Sequence, residues 1–155
     1  MIPKFKKVLA VTDCSEIGNR AIPFAYTVVS VDGEVQLVHL IEHGDVPGGL
    51  YAHYTRDELF LPEKRKEVAE KVEKHLEQLI PQEARYESIR TQVACAFHGE
   101  IAAGIIEEIK SRSPDVVVIG SHGRSALTHL LMGSVTEQVL RHSTVPVLVV
   151  PQIKK

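Results

Sequence analysis

The sequence predicts an α/β fold built on a mostly parallel sheet, and two observations carry that prediction. Five short segments are β-branched and almost continuously apolar: Val8–Thr12, Val35–Ile41, Ile89–Ala96, Asp115–Gly120 and Val145–Val150. Runs of this kind, without strict polar alternation, suit parallel strands covered on both faces. Between them lie stretches with apolar residues at helical spacing, so strands and helices alternate. Right-handed crossovers then set helices on both faces, a three-layer sandwich read as a single domain over residues 1–155.

The first strand leads into a stripe of Ile17, Ala21, Phe24, Ala25 and Val28. Pro23 falls inside that stripe, where a continuous helix would lose the hydrogen bond to the Asn19 carbonyl. Either the helix kinks or it begins later than Ser15. After the second strand comes Glu42–Arg56, with Gly44, Pro47, Gly48, Gly49, Tyr51 and Tyr54. It is long for a strand-to-helix connection, and loops of that length are often functional. Thr55 and Glu58 have capping-box spacing, whereas Pro62 suits the first turn of the main helix. Val68, Val72, Leu76 and Leu79 mark that helix, charged on its wet face from Glu63 to Glu77 and stopped by Pro81. Ile101, Ala102, Ile105, Ile106 and Ile109 mark the next, and Val135, Val139 and Leu140 the last. The spacing of Ser134 and Glu137 places the start of the last helix at Ser134.

Composition removes several function classes. Eighteen Lys and Arg against 20 Asp and Glu leave a formal charge of −2, with no Trp, four Tyr and four Phe. That balance argues against a basic, base-stacking nucleic-acid binder. Two cysteines make no disulfide framework and favour a reducing compartment. The apolar run Val8–Val11 stops at Thr12 and Asp13, short of the roughly 7–15 residues of a secretory h-region. Val116–Ile119 and Val147–Val150 fall far below the roughly 18 residues that span a bilayer. The expectation is a cytoplasmic protein with neither nucleic acid nor membrane as a partner.

The chemistry concentrates after the fourth strand. That strand ends at Gly120, followed by Ser121, His122, Gly123 and Arg124, and Gly133 directly precedes Ser134. The first amides of a helix lack intrahelical partners and carry the positive dipole end, so an anion there gains about 0.3–1 kcal/mol. Glycines at 123 and 133 would let backbone amides approach phosphates closely. Ser134 is available to cap the helix or to donate to a phosphate. In parallel sheets ligands bind beyond the carboxyl ends of strands, at a switch in strand order, which brings in Asp13. Asp13 repels phosphate, so it belongs at the sugar or base end, or else holds a divalent cation, or caps the first helix. The backbone around Leu40 is a candidate for an adenine edge, with Val11 and Ile119 as apolar walls. Spacing alone leaves open a purely structural reading of the three glycines as turn and helix-start residues.

Other polar residues are weaker signals. His39 reads as a hydrogen-bonded core residue, Cys95 as an apolar strand residue, and Cys14 as packing. No His or Cys spacing matches a zinc motif, so no metal ligands are assigned. The His-Ile-Gly-His, Gly-x4-Gly-Lys-Ser/Thr and Ser-Gly-Gly-x-Asp-Ser motifs are all absent, and no catalytic residue is assigned. A phosphorylated receiver would want an acidic residue at the end of the third strand, where Ala94-Cys95-Ala96 stands.

The pattern Gly120-x2-Gly123-x9-Gly133-Ser134 resembles the nucleotide-binding signature of the universal stress protein family. Val8-Leu-Ala-Val-Thr-Asp-Cys-Ser, Leu37-Val-His-Leu and Val145-Pro-Val-Leu-Val-Val extend the resemblance over essentially the whole chain. It implies a five-stranded parallel sheet in the order 3-2-1-4-5, Rossmann-like and of the adenine nucleotide alpha hydrolase type. It also implies binding of ATP or of a related adenine nucleotide, AMP or ADP, with Mg²⁺ or Mn²⁺ as its companion. Carried over by position, Thr12, Asp13 and Leu40 hold adenosine. Gly120, Ser121, His122, Gly123, Arg124, Gly133, Ser134, Val135 and Thr136 surround ribose and phosphates. The apolar last strand, Val145 to Val150, reads as an edge that invites a second chain, although Pro146 and Pro151 remove two donors. The family commonly dimerises there. The implied function is a nucleotide-responsive regulatory homodimer of the stress response with at most slow ATP hydrolysis. The alternatives are a nucleotide-independent interaction module and a slow ATPase enzyme.

Overall fold

Five strands, β1 (Phe5–Val11), β2 (Val29–Glu42), β3 (Arg90–His98), β4 (Val116–Gly120) and β5 (Val147–Val150), form one sheet. Their order is β3-β2-β1-β4-β5 and every pairing is parallel. The computed structural model describes residues 1–43, 49–123 and 132–152. Sheet order and direction are those the family resemblance implies.

Two strands begin earlier than their apolar runs. β1 takes in Phe5 to Lys7, and β2 starts at Val29. The register jumps from Phe5↔Val29 to Lys7↔Glu34, so several β2 residues oppose few on β1. Asp32 takes a left-handed φ of 62° within that irregularity. In the segment before Val35 polar Ser30, Asp32 and Glu34 interrupt the valines and Val31 is exposed, so it carries no continuous apolar signature of a covered strand.

Pro23 divides the first helical region in two. Helix α1 (Glu16–Asn19) stops before it, and α2 (Ile22–Val28) holds Pro23 in its first turn, where no intrahelical donor is needed. The break resets the helical phase. Ile22 and Ala25 therefore point inward, while Phe24 stays 45% exposed, contrary to the stripe read from the sequence. Downstream, both start signals hold for successive elements. Glu58 Oε2 accepts from the Thr55 amide at 2.7 Å and Thr55 Oγ1 accepts from the Glu58 amide at 3.2 Å, ahead of the 3₁₀ turn Glu58–Phe60. Helix α3 (Pro62–Gln78) then begins at its proline.

Helices α4 (Ile101–Arg112) and α5 (Ser134–His142) complete the sandwich. Alternation along the strands sorts the core onto two faces. Val8, Ala10, Val35, Leu37, Val116 and Val118 pack with Ile22 and Ala25 of α2. Ile41 continues that face under Val68, Val72 and Leu76 of α3. Leu9, Val11, Val38, Leu40, Val117 and Ile119 face Ile105 and Ile109 of α4 and Val139 of α5. Removing such a fully buried leucine or isoleucine side chain typically costs about 2–5 kcal/mol, so these layers fix where the strands end. Among the described residues no helix is long and apolar enough to cross a membrane.

Candidate functional site

The chain leaves β1 toward β2 on one side and reaches β4 on the other, so strand order reverses between β1 and β4. Their carboxyl ends lie side by side, Val11 opposite Ile119. A cavity of about 420 Å³ opens there, where a parallel sheet places its ligands. Val11, Leu40 and Ile119 line it from the strands, and Ile101 and Ile105 from α4. Thr12, Asp13 and Gly18 follow β1, Gly120, His122 and Gly123 follow β4, and Gly133 to Thr136 open α5.

The turn after β1 is tightly wired. Thr12 is 3% exposed, donates its hydroxyl to Asn19 Oδ1 at 2.7 Å and accepts from the Cys14 amide at 3.0 Å. Its carbonyl meets Nδ1 of the buried His39 at 2.9 Å, so His39 is the hydrogen-bonded core residue expected. Cys14 adopts a left-handed φ of 62°, which sharpens the turn. Asp13 Oδ1 accepts from the Ser15 amide at 2.9 Å and from the Ser15 hydroxyl. The α1 cap is Ser15, whose Oγ accepts from the Gly18 amide at 2.9 Å. Asp13 thus orients the cap rather than serving as one.

The start of α5 differs from its sequence pattern in one respect. The helix begins at Ser134, but its N-cap is Gly133, which has no side chain, and among the described residues no side-chain cap bond is made. Ser134 is already the first helical residue, and Glu137 pairs with Arg141 at 2.8 Å instead of closing a capping box. A glycine N-cap offers the first-turn amides and the positive dipole end no side-chain acceptor of its own, the arrangement that favours an anion. Thr136 donates its hydroxyl to the Gly120 carbonyl at 2.8 Å. The Gly133 amide donates to the Ser121 carbonyl at 2.7 Å.

Ten of the twelve residues expected to form the site line this cavity: Thr12, Asp13, Leu40, Gly120, His122, Gly123, Gly133, Ser134, Val135 and Thr136. Arg124 lies outside the described residues. Ser121 is not among the lining residues. Its amide donates to the Val150 carbonyl at 2.8 Å, its hydroxyl accepts from the Gln152 amide at 3.1 Å, and His122 Nδ1 lies 3.0 Å away. Two of the glycines also meet protein atoms closely. A β-carbon at Gly123 would strike Asp13 Oδ2 at 2.6 Å, and one at Gly133 would press on the Ser121 carbonyl at 3.3 Å. Their bareness lets protein segments meet around the cavity.

Three lining residues escaped the sequence reading: Gly18, Ile101 and Ile105. The two isoleucines belong to the α4 stripe, read there as core, and the stripe runs on into the cavity. Gly18 had a faint signal, a glycine in a helix start where better helix formers are available. Away from the site, burial pushes the Cys95 thiol up to about 12, with the Glu73 carboxylate and Cys14 adding to it. Among the described residues no group of three His, Cys, Asp or Glu side chains is placed to hold a metal ion.

Fold and cavity together define a doubly wound α/β protein with a ligand crevice at its switch point. The chain belongs to the universal stress protein family, whose model matches residues 4–151. It is 29% identical over 154 residues to universal stress protein MJ0531 of Methanocaldococcus jannaschii, covering 97% of this chain and 85% of that protein. Universal stress protein G of Salmonella typhimurium is 31% identical over 136 residues, covering 87% and 89% of the two chains. Among solved structures, protein MJ0577, from Methanocaldococcus jannaschii, superposes with a TM-score of 0.79 at 26% identity, covering 99% of this chain and 100% of that one. A universal stress protein solved in complex with cAMP shares the fold, with a TM-score of 0.61 at 16% identity, covering 97% and 100%.

Proposed function

We propose that this chain is an adenine-nucleotide-binding universal stress protein, taking ATP or the related AMP or ADP in the crevice between β1 and β4. The observation that carries the reading is the pairing of two unlike surfaces on one cavity. Val11, Leu40, Ile119, Ile101 and Ile105 offer an apolar lining suited to a flat base, and the glycine-capped start of α5 favours phosphate. Thr12, Asp13 and Leu40 take the adenosine. Gly120, His122, Gly123 and residues 133 to 136 take the ribose and phosphates, with Ser121 supporting them and Arg124 the one cation of the signature.

Asp13 is the one carboxylate among the described lining residues, and none of them is a lysine. With Asp13 taken up by the adenosine, Mg²⁺ or Mn²⁺ would arrive held by the phosphates themselves, and the set supports binding over turnover. The chain acts as one domain, in the cytoplasm, as a regulatory homodimer in which nucleotide occupancy alters partner binding. Dimerisation through β5 is supported by its place at the sheet edge. The Val117 amide bonds the Pro146 carbonyl and the Ser121 amide bonds the Val150 carbonyl, so residues 146, 148 and 150 face β4. Alternation then turns the amides of Val147 and Val149 outward. Pro151 lacks a donor on that outer side, whereas Pro146 lacks one on the inner side.

The deciding experiment denatures the purified protein, identifies any released nucleotide, and titrates ATP, AMP and GTP calorimetrically. Released adenine nucleotide, or binding of ATP in preference to GTP, is the expected result. No adenine nucleotide and no ATP binding at about millimolar concentration would leave a nucleotide-independent interaction module. Turnover on the order of 10 s⁻¹ would make the chain an enzyme.

A further inference from the structure

Asp13 stands between two glycines. A β-carbon built on Gly18 would sit 2.2 Å from Asp13 Oδ1 and 3.2 Å from Ser15 Oγ, and one built on Gly123 would sit 2.6 Å from Asp13 Oδ2. Neither position admits a side chain while the carboxylate stays where it is. The atoms in the way at 18 are ends of side chains, so a methyl group there would displace the carboxylate and leave the backbone in place. Helix propensity gives no reason for a glycine in α1, since alanine is the better helix former and Gly18 has no positive φ. Oδ1 also accepts from the amide and the hydroxyl of Ser15.

We infer that Gly18 is a positioning residue: with Gly123 it forms a slot that holds the Asp13 carboxylate against Ser15, and this fixed carboxylate sets the affinity of the cavity for a nucleoside group that donates hydrogen bonds. The inference rests on the nucleotide reading of the cavity. Its chemistry is simple. A carboxylate locked in one orientation meets hydroxyl or amino donors without ordering cost, and one free to rotate does not. Phosphate is turned away from this end of the cavity by charge, so the slot also orients the ligand.

The test compares the full chain with Gly18→Ala, Asp13→Ala and the double variant, by calorimetric titration with ATP and by urea unfolding. Gly18→Ala is expected to keep the unfolding midpoint and weaken ATP binding about tenfold or more, with the double variant no weaker than Asp13→Ala within about twofold. Wild-type affinity in Gly18→Ala overturns the inference. A double variant much weaker than Asp13→Ala also overturns it, because the new methyl group would then obstruct the ligand directly. A wild-type chain that binds no ATP sinks the nucleotide reading, and the slot is then judged by hydrogen exchange at the Ser15 amide. That amide should exchange about tenfold faster in Gly18→Ala, and unchanged exchange overturns the slot. If Gly18→Ala does not fold, Ser15→Ala removes the hydroxyl bond to Oδ1 and must weaken ATP binding non-additively with Asp13→Ala.

Discussion

The Thr136 hydroxyl donates to the Gly120 carbonyl at 2.8 Å, tying the first turn of α5 to the end of β4 across sixteen residues of chain. The bond is partly buried, Thr136 itself being 4% exposed, and it sets where the helix start lies relative to the turn after β4. Thr136→Val keeps the shape and deletes the donor. It should cost about 1–2 kcal/mol in urea unfolding, the loss of a bond plus an under-satisfied carbonyl. ATP binding should weaken several-fold, whereas Thr136→Ser should restore both.

Gly133 is the second sensitive point of that junction. A β-carbon there would press on the Ser121 carbonyl, the acceptor of Gly133's own amide, at 3.3 Å. Gly133→Val should therefore push α5 away from the turn and cost about 1–3 kcal/mol of stability, as overpacking does. ATP affinity measured by calorimetry should fall by more than tenfold, about 1.4 kcal/mol. A folded variant with unchanged affinity would place the phosphates elsewhere.

Stability should fall in alkali through Cys95. The thiol ordinarily titrates at 9.0 and burial raises it to about 12 in the folded chain. Between those values the unfolded chain has released a proton that the folded chain retains, so stability drops as pH rises from about 9 toward 12. The loss by pH 10.5 is roughly 1–2 kcal/mol, bounded by about 1.4 kcal/mol per pH unit. Tyr26, raised from 10.0 chiefly by burial against the lowering effect of its hydrogen bond to Thr91, acts in the same direction. Urea midpoints at pH 8 and 10.5 should separate further in the wild type than in Cys95→Val.

The outward amides of Val147 and Val149 make the dimer testable by one substitution. Val149→Pro removes a donor on the free side of β5 and leaves the inner bonds of residues 148 and 150 to β4 in place. Light scattering after gel filtration should report a dimer for the wild type and a monomer for the variant, both folded by circular dichroism. A variant that remains dimeric would move the interface off this edge.

Much of this molecule was legible because its strands are covered on both faces. Val8–Val11, Val35–Ile41 and Val116–Ile119 are nearly continuous apolar runs for that reason, and the site follows from where such strands end. What escaped depended on contacts between distant segments. Phe24 looked inward until the break at Pro23 reset the helix, and the first part of β2 has too few buried residues to announce itself. Ser134 and Glu137 have the spacing of a cap, yet Glu137 finds Arg141 and Gly133 takes the cap position. Gly18 matters through Asp13, and no local pattern reveals that a helix start will pass within contact of a preceding carboxylate.

Ser121 gives the last strand a mechanical hold on the crevice. Through its amide and hydroxyl it takes up the Val150 carbonyl and the Gln152 amide, and its own carbonyl receives the Gly133 amide. Tension applied at Gln152 is therefore transmitted to the turn that carries Gly123 and to the mouth of α5. An affinity tag or a surface tether belongs at the exposed Met1 end, which enters β1 at the end of the strand away from the crevice.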